Sequence, residues 1–584
     1  PGLLSLDASG RVDNPLDFNR MAGKVTLDGK LQGAGRLSHF LTAAKIDPGI
    51  SISPRMTVSG TVDYRPGAIE GNLDVTANDG RVTAAGYWIE RSEGYQAEIR
   101  ADRFPVDAFM PKLGVGSVTA SLKADGHGYN PLKASTVIHL KARVDNIVYN
   151  RETYRDIMLD ADVSGGHADG MLSSGNPNAD LDVDFSAAIA DTGYVWDIDG
   201  DVRHIDLRAL GLVADTMEMT GSFTVVSNGT YNPRNGDLHG SLTLDALDWL
   251  MDGRSLRTDA TTIGVDMTTQ GINARLTNGD LLAVADVNCP LKGLTAHIDS
   301  TMALLKRNLA SKRLDVDSLQ CALPPMTVSL LMGQKNLAHE YLAESGTEFN
   351  TFAVTFVNDS LMSLSASVTG LQSGTTRLDS ITFNARQRGP YLIYNAMADN
   401  SPGTMDEFAH VALNGFVGRD RLGALLRQRN IKGETGYSLG LNVTATDSVA
   451  TLKFVPYNPI IAYRRWTLND SNYVSYNFVD RQFRADLRLH DDRSSLHLAT
   501  VPSTMASGPD DPTKDDIILQ LRDIKIQDWL AVNPFAPPVS GDVSADLRLH
   551  WDTRNMTGRG DVSLAGLTYG RERVGDFNLD LDVA

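Results

Sequence analysis

The sequence predicts an all-β fold, a repetitive antiparallel sheet interrupted by a few short helices. Three observations carry that expectation. Apolar and polar residues alternate with a period of two over long stretches, turn clusters recur between those stretches, and one strand–turn–strand unit returns far along the chain. Alternation places one apolar and one wet face on each strand, and such strands belong to antiparallel sheets rather than parallel sheets buried on both sides. The returning unit is Asn146 to Val163, NIVYNRETYRDIMLDADV, which aligns without a gap on Gly566 to Val583, GLTYGRERVGDFNLDLDV. Tyr149 falls on Tyr569, Arg151–Glu152 on Arg571–Glu572 and Leu159–Asp160 on Leu579–Asp580. Self-similarity of this kind is the signature of a stacked repeat.

Taken in order, residues 1–100 are a β segment in which Ser5 to Gly29 resembles Ser121 to Ala142. Residues 101–202 and 203–320 are complete repeats. Each opens on an Arg leader with one turn of helix, RFPVDAFM from Arg103 and RHIDLRAL from Arg203; a third leader, RDIKIQDW, starts at Arg522. The turns Tyr129-Asn130-Pro131 and Tyr231-Asn232-Pro233 sit at matching places. Leu181, Val183 and Phe185 alternate with Asp182 and Asp184. Residues 321–430 are a central β segment with short helices, predicted within Leu330 to Gly346, where Gly346 is the stop, and around Leu422, Leu425 and Leu426. Residues 431–521 are a further β segment and 522–584 begin another repeat. Phe483, Ala485, Leu487 and Leu489 alternate there with Arg484, Asp486, Arg488 and His490, as Val543, Ala545, Leu547, Leu549 and Trp551 do with Ser544, Asp546, Arg548 and His550. Strands of about six to ten residues are expected. The six segments read as one stack rather than as separate domains.

The net charge of −18 argues against nucleic-acid binding and against broad adhesion to an anionic membrane face. Two cysteines, Cys289 and Cys321, exclude a disulfide scaffold and a zinc module; one bridge and two free thiols are both compatible with them. No apolar run reaches the ~18 residues of a membrane span. The chain opens on Pro1 and stops inside an alternating strand, so it reads as a piece of a longer protein. Gly436-Tyr437-Ser438-Leu439-Gly440 fits the nucleophile-elbow pattern, but its flanks alternate as one strand, without the helix that chemistry needs. Asp197-Ile198-Asp199-Gly200-Asp201 has Val202 where a calcium loop needs another residue and reads as a hairpin turn. His490-Asp491-Asp492 and the acids from Asp510 to Asp516 read as solvated strand ends and loop. Arg559-Gly560-Asp561 lies in a repeated strand. No cofactor, metal or catalytic residue is expected, and the chain does not read as an enzyme.

The leader Ile205-Asp206-Leu207-Arg208-Ala209-Leu210, the Tyr–turn–strand unit, the central GQKNLAHEYLAESGTEFN and Phe454 to Tyr476 resemble the AsmA-like superfamily of Gram-negative envelope proteins. Within it, they resemble the TamB-type translocation and assembly module branch of Bacteroidota. The resemblance implies an elongated U-shaped sheet, a β-taco, bridging inner and outer membranes through the periplasm. It implies an apolar groove that conducts phospholipid or supports outer-membrane protein assembly. The partners it implies are phospholipid, a BamA-like (TamA-type) barrel and an inner-membrane anchor outside this chain, with no nucleic acid.

On that reading the groove is lined by Ile138, Leu140, Ile157, Leu159, Leu181, Val183, Phe185, Leu242 and Leu244, and further along by Phe483, Leu487, Leu489, Val543, Leu547, Leu549, Val562, Leu564, Phe577 and Leu579. Exposing an acyl chain to water costs about 0.8 kcal/mol per CH₂, which a continuous apolar trough removes. Periodicity does not separate a groove from a closed sandwich. The alternative is a repetitive β stalk or adhesin with a packed interior.

Overall fold

The structure is a computed structural model. The structure describes residues 4–14, 20–32, 55–108, 113–128, 130, 133–149, 152–190, 193–213, 218–251, 253–374, 376–400, 409–503, 515–531, 536–551 and 556–583. The expected turn residues Tyr129 and Arg151, and the acids Asp510 and Asp511, lie outside them. The protein divides into two compact units, one of Pro1–Thr269 with Ala274–Gly279, the other of Gln270–Asn273 with Asp280–Ala584. The fold is all-β and antiparallel, as the alternation predicts.

In the N-terminal unit each strand pairs with its sequence neighbours from Leu4–Asp13 to Asp237–Met251, which also pairs with Arg254–Arg257 and Thr261–Met267. This is a meander, the topology that short turns between alternating strands produce. The first strand pairs on one side only, so the sheet is open there. Up to Asp237–Met251 the strands run from 10 residues (Leu4–Asp13) to 15 residues (Asp237–Met251), most of them longer than expected. Several of the longer strands carry β-bulges, which absorb an irregular residue without ending the strand. The Arg leader is one of these devices. Register shifts between Ala101 and Phe104 where Arg103 takes φ +46°, and again between Leu521 and Ile524 where Asp523 takes φ +48°. After each bulge the chain leaves the sheet through a single turn, Val106–Ala108 or Ile526–Leu530. The repeated Tyr unit likewise forms the same corner twice, with Tyr149 opposite Glu152 and Tyr569 opposite Glu572.

In the C-terminal unit the strands Met326–Met332, Thr351–Asn358, Met362–Ser373, Thr376–Arg388, Tyr391–Asp399, His410–Gly418, Arg421–Arg429 and Thr435–Ala445 form a second meander. It continues to Glu572–Val583. Two helix expectations need correction. Leu330 lies in a strand, and the helix is confined to Leu337–Glu344, capped by the Asn336 side chain accepting from His339 N at 2.8 Å and stopped at Gly346 with φ +80°. Leu422, Leu425 and Leu426 are in a strand, because Leu422, Ala424 and Leu426 pair on one face with Val417, Gly415 and Leu413. Pairing on both sides of that strand overrides its helical spacing.

The longest helix, Leu291–Ala310, was not expected from the sequence. It packs on Val316–Ala322, which is tied to strand ends: Gln387 Nε2 donates to Asp317 at 2.8 Å, and Arg419 N donates to the Leu314 carbonyl at 2.6 Å.

Candidate functional site

In antiparallel sheets directly opposed residues share a face. Following that rule across the N-terminal unit gives an unbroken row, one residue per strand. It runs Ala8, Leu27, Gly60, Leu73, Ala84, Ile99, Leu122, Ala142, Leu159, Leu172, Val183, Gly200, Val225, Leu244. No member is polar. A second row two residues away passes through Val62, Ala97, Leu140, Ala161, Gly170, Phe185, Ile198 and Leu242, interrupted by Ser227. A third holds Val82, Val144, Ile157, Leu181 and Val202, and a fourth holds Trp88, Ile138, Val163, Ala187 and Trp196. Every residue singled out in this half of the sequence therefore falls on one face.

Gly170 and Gly229 have a packing reason on that face. A Cβ on Gly170 would run into the Phe185 ring, and one on Gly229 into Trp196. The bare backbone lets each ring lie against the sheet, which keeps the face shallow.

This face is not a core. Leu140, Leu159, Val183 and Phe185 are half-buried, and Leu73 and Ile99 are exposed at 41% and 37%. Fully buried apolar side chains among the described residues of this unit are Ala77, Val202, Leu247 and Trp249. At ~4.8 Å per strand a fourteen-strand row runs about 60 Å.

The opposite face is polar and charge-paired. Lys141 Nζ meets Asp160 at 2.8 Å, His139 pairs with Asp162, and Arg203 bridges Asp180 and Asp182. The hydrogen bond that His139 donates to Asp162 raises the His139 pKa. Asp197, Asp199 and Asp201 belong to this face. They lie inside the strand Gly193–Asp206 rather than in a hairpin turn, and the pattern arises because Ile198 and Gly200 take the apolar side between them.

The C-terminal unit repeats the pattern. One row runs Leu330, Val354, Ala366, Phe383, Ala396, Leu413, Leu426, Leu439. Further along, Leu487, Leu498, Leu519 and Leu547 oppose one another, as do Leu489, Leu496, Leu521, Ala545, Val562 and Leu579, and also Val543, Leu564 and Phe577. Phe483 shares the face of Leu487 and Leu549 that of Leu547, by strand alternation. On the last strand Phe577 and Leu579 are exposed, at 47% and 54%.

Leu487 and Leu489 are corrected. They are not on an open face but inside a packed core with Tyr437, Ile461, Trp466, Leu468 and Ile524. The chain from Pro459 to Leu468 closes this core and is itself paired into the sheet, Ile460 with Ser438 and Arg465, and Leu468 with Leu489. Trp466, fully buried, donates its backbone N–H to the Pro459 carbonyl at 2.9 Å and meets Trp529 edge-on at 5.8 Å. Tyr437 Oη donates to the Asp528 carbonyl at 2.7 Å, which gives the strand Thr435–Ala445 a packing role in place of the elbow chemistry its glycines mimic. Arg464 clamps this segment, reaching Asp491 at 2.7 Å and Asp528 at 2.6 Å. The void left beneath, about 100 Å³ among Leu439, Phe454, Leu468, Leu489 and Trp529, is below the ~300 Å³ at which small-molecule sites begin.

Two acids expected in solvent are buried. Burial opposes the Asp491 charge, but the amides of Ser494 and Arg493 and the Arg464 guanidinium outweigh it and hold its pKa below the usual carboxylate range. Asp516 is fully buried against Arg548 at 2.7 Å and His550 at 2.9 Å, so His550 is not on a wet face either. A buried carboxylate needs such partners. Cys289 is buried and Cys321 exposed, both free. Among the described residues no cluster of His, Cys, Asp or Glu is arranged to hold a metal ion, and no helix is long and apolar enough to cross a membrane.

No family model, curated protein or solved structure matches this chain.

Proposed function

We propose that the protein is a non-enzymatic carrier of lipid acyl chains, its apolar face curled into a U-shaped groove along which phospholipids pass between inner and outer membranes. The observation that carries this reading is the set of four apolar rows in the N-terminal unit, one of them unbroken across fourteen strands, on a face left largely half-exposed. A surface of that extent is well beyond the few hundred Å² that monomers ordinarily expose. At about 60 Å it exceeds the ~30 Å hydrocarbon thickness of a bilayer. It carries no fixed charge, so nothing on it anchors a headgroup and a chain can slide. The acidic, ion-paired opposite face suits water. The resemblance to TamB-type envelope proteins adds the periplasmic location, the two membranes as source and destination, a BamA-like barrel partner and a role in outer-membrane assembly.

The packed region around Trp466 favours a second reading, a β stalk with a filled interior. The two readings part in a transfer assay. Purified protein added between fluorescent-phospholipid donor vesicles and acceptor vesicles accelerates transfer on the groove reading, and Leu140→Asp with Leu159→Asp abolishes it while the melting transition is kept. No transfer, and no phospholipid recovered with the protein by mass spectrometry, would leave the stalk.

A further inference from the structure

We infer that the helix Leu291–Ala310 is an interfacial anchor that lays its exposed stripe on an anionic phospholipid surface. The helix seats itself on one side only. Leu294, His297, Thr301, Leu304 and Asn308, spaced three and four apart, turn inward, and His297 Nδ1 donates to the Ala322 carbonyl at 2.7 Å. Beside that seated side runs a second apolar stripe with no cover: Leu291 at 51% exposure, Ile298 at 48%, Met302 at 50% and Leu309 at 67%. At 100° per residue these four fall within a narrow sector, and at 1.5 Å per residue the stripe is about 27 Å long.

The charge around the stripe chooses the occupant. The whole chain carries −18, yet between Leu291 and Arg313 the basic residues are Lys292, Lys306, Arg307, Lys312 and Arg313 and the acid is Asp299 alone. All five basic residues are exposed. An apolar stripe flanked by Lys and Arg is the composition of a helix lying in the headgroup layer. Each cation near an anionic leaflet adds to binding. A second copy of the helix is a poor occupant, since pairing would bring like-charged flanks together. The neighbouring hairpin tip extends the same surface: the Lys312 ammonium lies 3.3 Å from the Phe478 ring centre, and Val479 beside it is 73% exposed. The acidity of the rest of the chain confines contact to this patch.

The anchor is independent of lipid carriage by the sheet and is tested apart from it. The full chain is sedimented with vesicles of phosphatidylcholine, with and without phosphatidylglycerol. Binding is expected to require phosphatidylglycerol, to weaken as salt rises and to fall at least about tenfold in Lys306→Glu with Arg307→Glu. Ile298→Glu with Met302→Glu is expected to remove it without moving the melting transition, since both side chains are exposed. Leu140→Asp with Leu159→Asp is expected to leave vesicle binding intact. Binding that ignores phosphatidylglycerol, survives the helix substitutions or is lost with Leu159→Asp would overturn the anchor. So would self-association that depends on Ile298 and Met302.

Discussion

The apolar face of the N-terminal unit and the face around Trp466 in the C-terminal unit are written in the same alternating code and end in different physical states. Leu159 and Leu489 both belong to an apolar row. Leu159 is half-exposed, whereas Leu489 is buried. The difference does not lie in the strands that carry them. It lies in what packs on them: Tyr437, Ile461, Trp466 and Ile524 bury Leu489, and no such buried cluster surrounds Leu159 among the described residues. A period of two fixes which residues share a face. Whether that face becomes a core or a surface is decided by what packs on it.

The largest expected effect breaks the comparison at Leu489. Leu489→Asp buries a charge without a partner, which costs several kcal/mol, and is expected to abolish the cooperative melting transition of the C-terminal unit. Leu159→Asp places its charge where water reaches it, and the protein is expected to keep its circular dichroism and melting profile. Equal damage at both sites would mean that the N-terminal face is itself a core. Next in size, Trp466→Ala should cost about 3–5 kcal/mol in denaturant unfolding. Leu172→Ala, in a half-exposed row, should cost about 1 kcal/mol.

A pH titration sharpens the same contrast. Asp491 has a folded pKa below its unfolded value of about 3.9. Its contribution is therefore present above that value and is lost as pH falls through the lower, folded one. Acid below about pH 4 should destabilise the Trp466 region first, detected as a rise in tryptophan exposure. Arg464→Leu should make that region less stable at neutral pH and flatten its acid dependence. Gly170→Val, which drives a Cβ into the Phe185 ring and against the Asp160 carbonyl, is expected to cost roughly 1–2 kcal/mol, between Trp466→Ala and Leu172→Ala. At Gly575, on the exposed last strand, an added Cβ meets nothing within 4 Å, and only its backbone φ of +130° resists the change.

The strands, the shared face and the repeated corner were legible because each depends on local alternation and turn chemistry. Leu140, Phe185 and Leu242 fall into one row, as their spacing implied. The burial around Trp466 was not legible. Trp466 reads in sequence as one more residue of a turn-rich stretch, and its burial depends on Trp529 more than sixty residues away. The burial of Asp516 and His550 is likewise a long-range pairing that alternation places on the wet side. The helix Leu291–Ala310 did leave a signal. Leu294, Ile298, Thr301 and Leu305 recur at helical spacing after Pro290, inside a repeat whose other members are strands. Leu425 and Leu426 mislead in the other direction, since adjacent leucines suit a helix face as well as a strand buried on both sides.

The most direct test of an open, lipid-carrying face uses neighbouring residues that differ only in the side of the sheet they occupy. A photo-crosslinking amino acid is placed at Leu159 or Val183, and separately at Met158 or Asp182, and the irradiated protein is examined for covalently attached phospholipid. Phospholipid adducts at Leu159 and Val183 without adducts at Met158 and Asp182 are the predicted result. Adducts at all four positions, or at none, would contradict it.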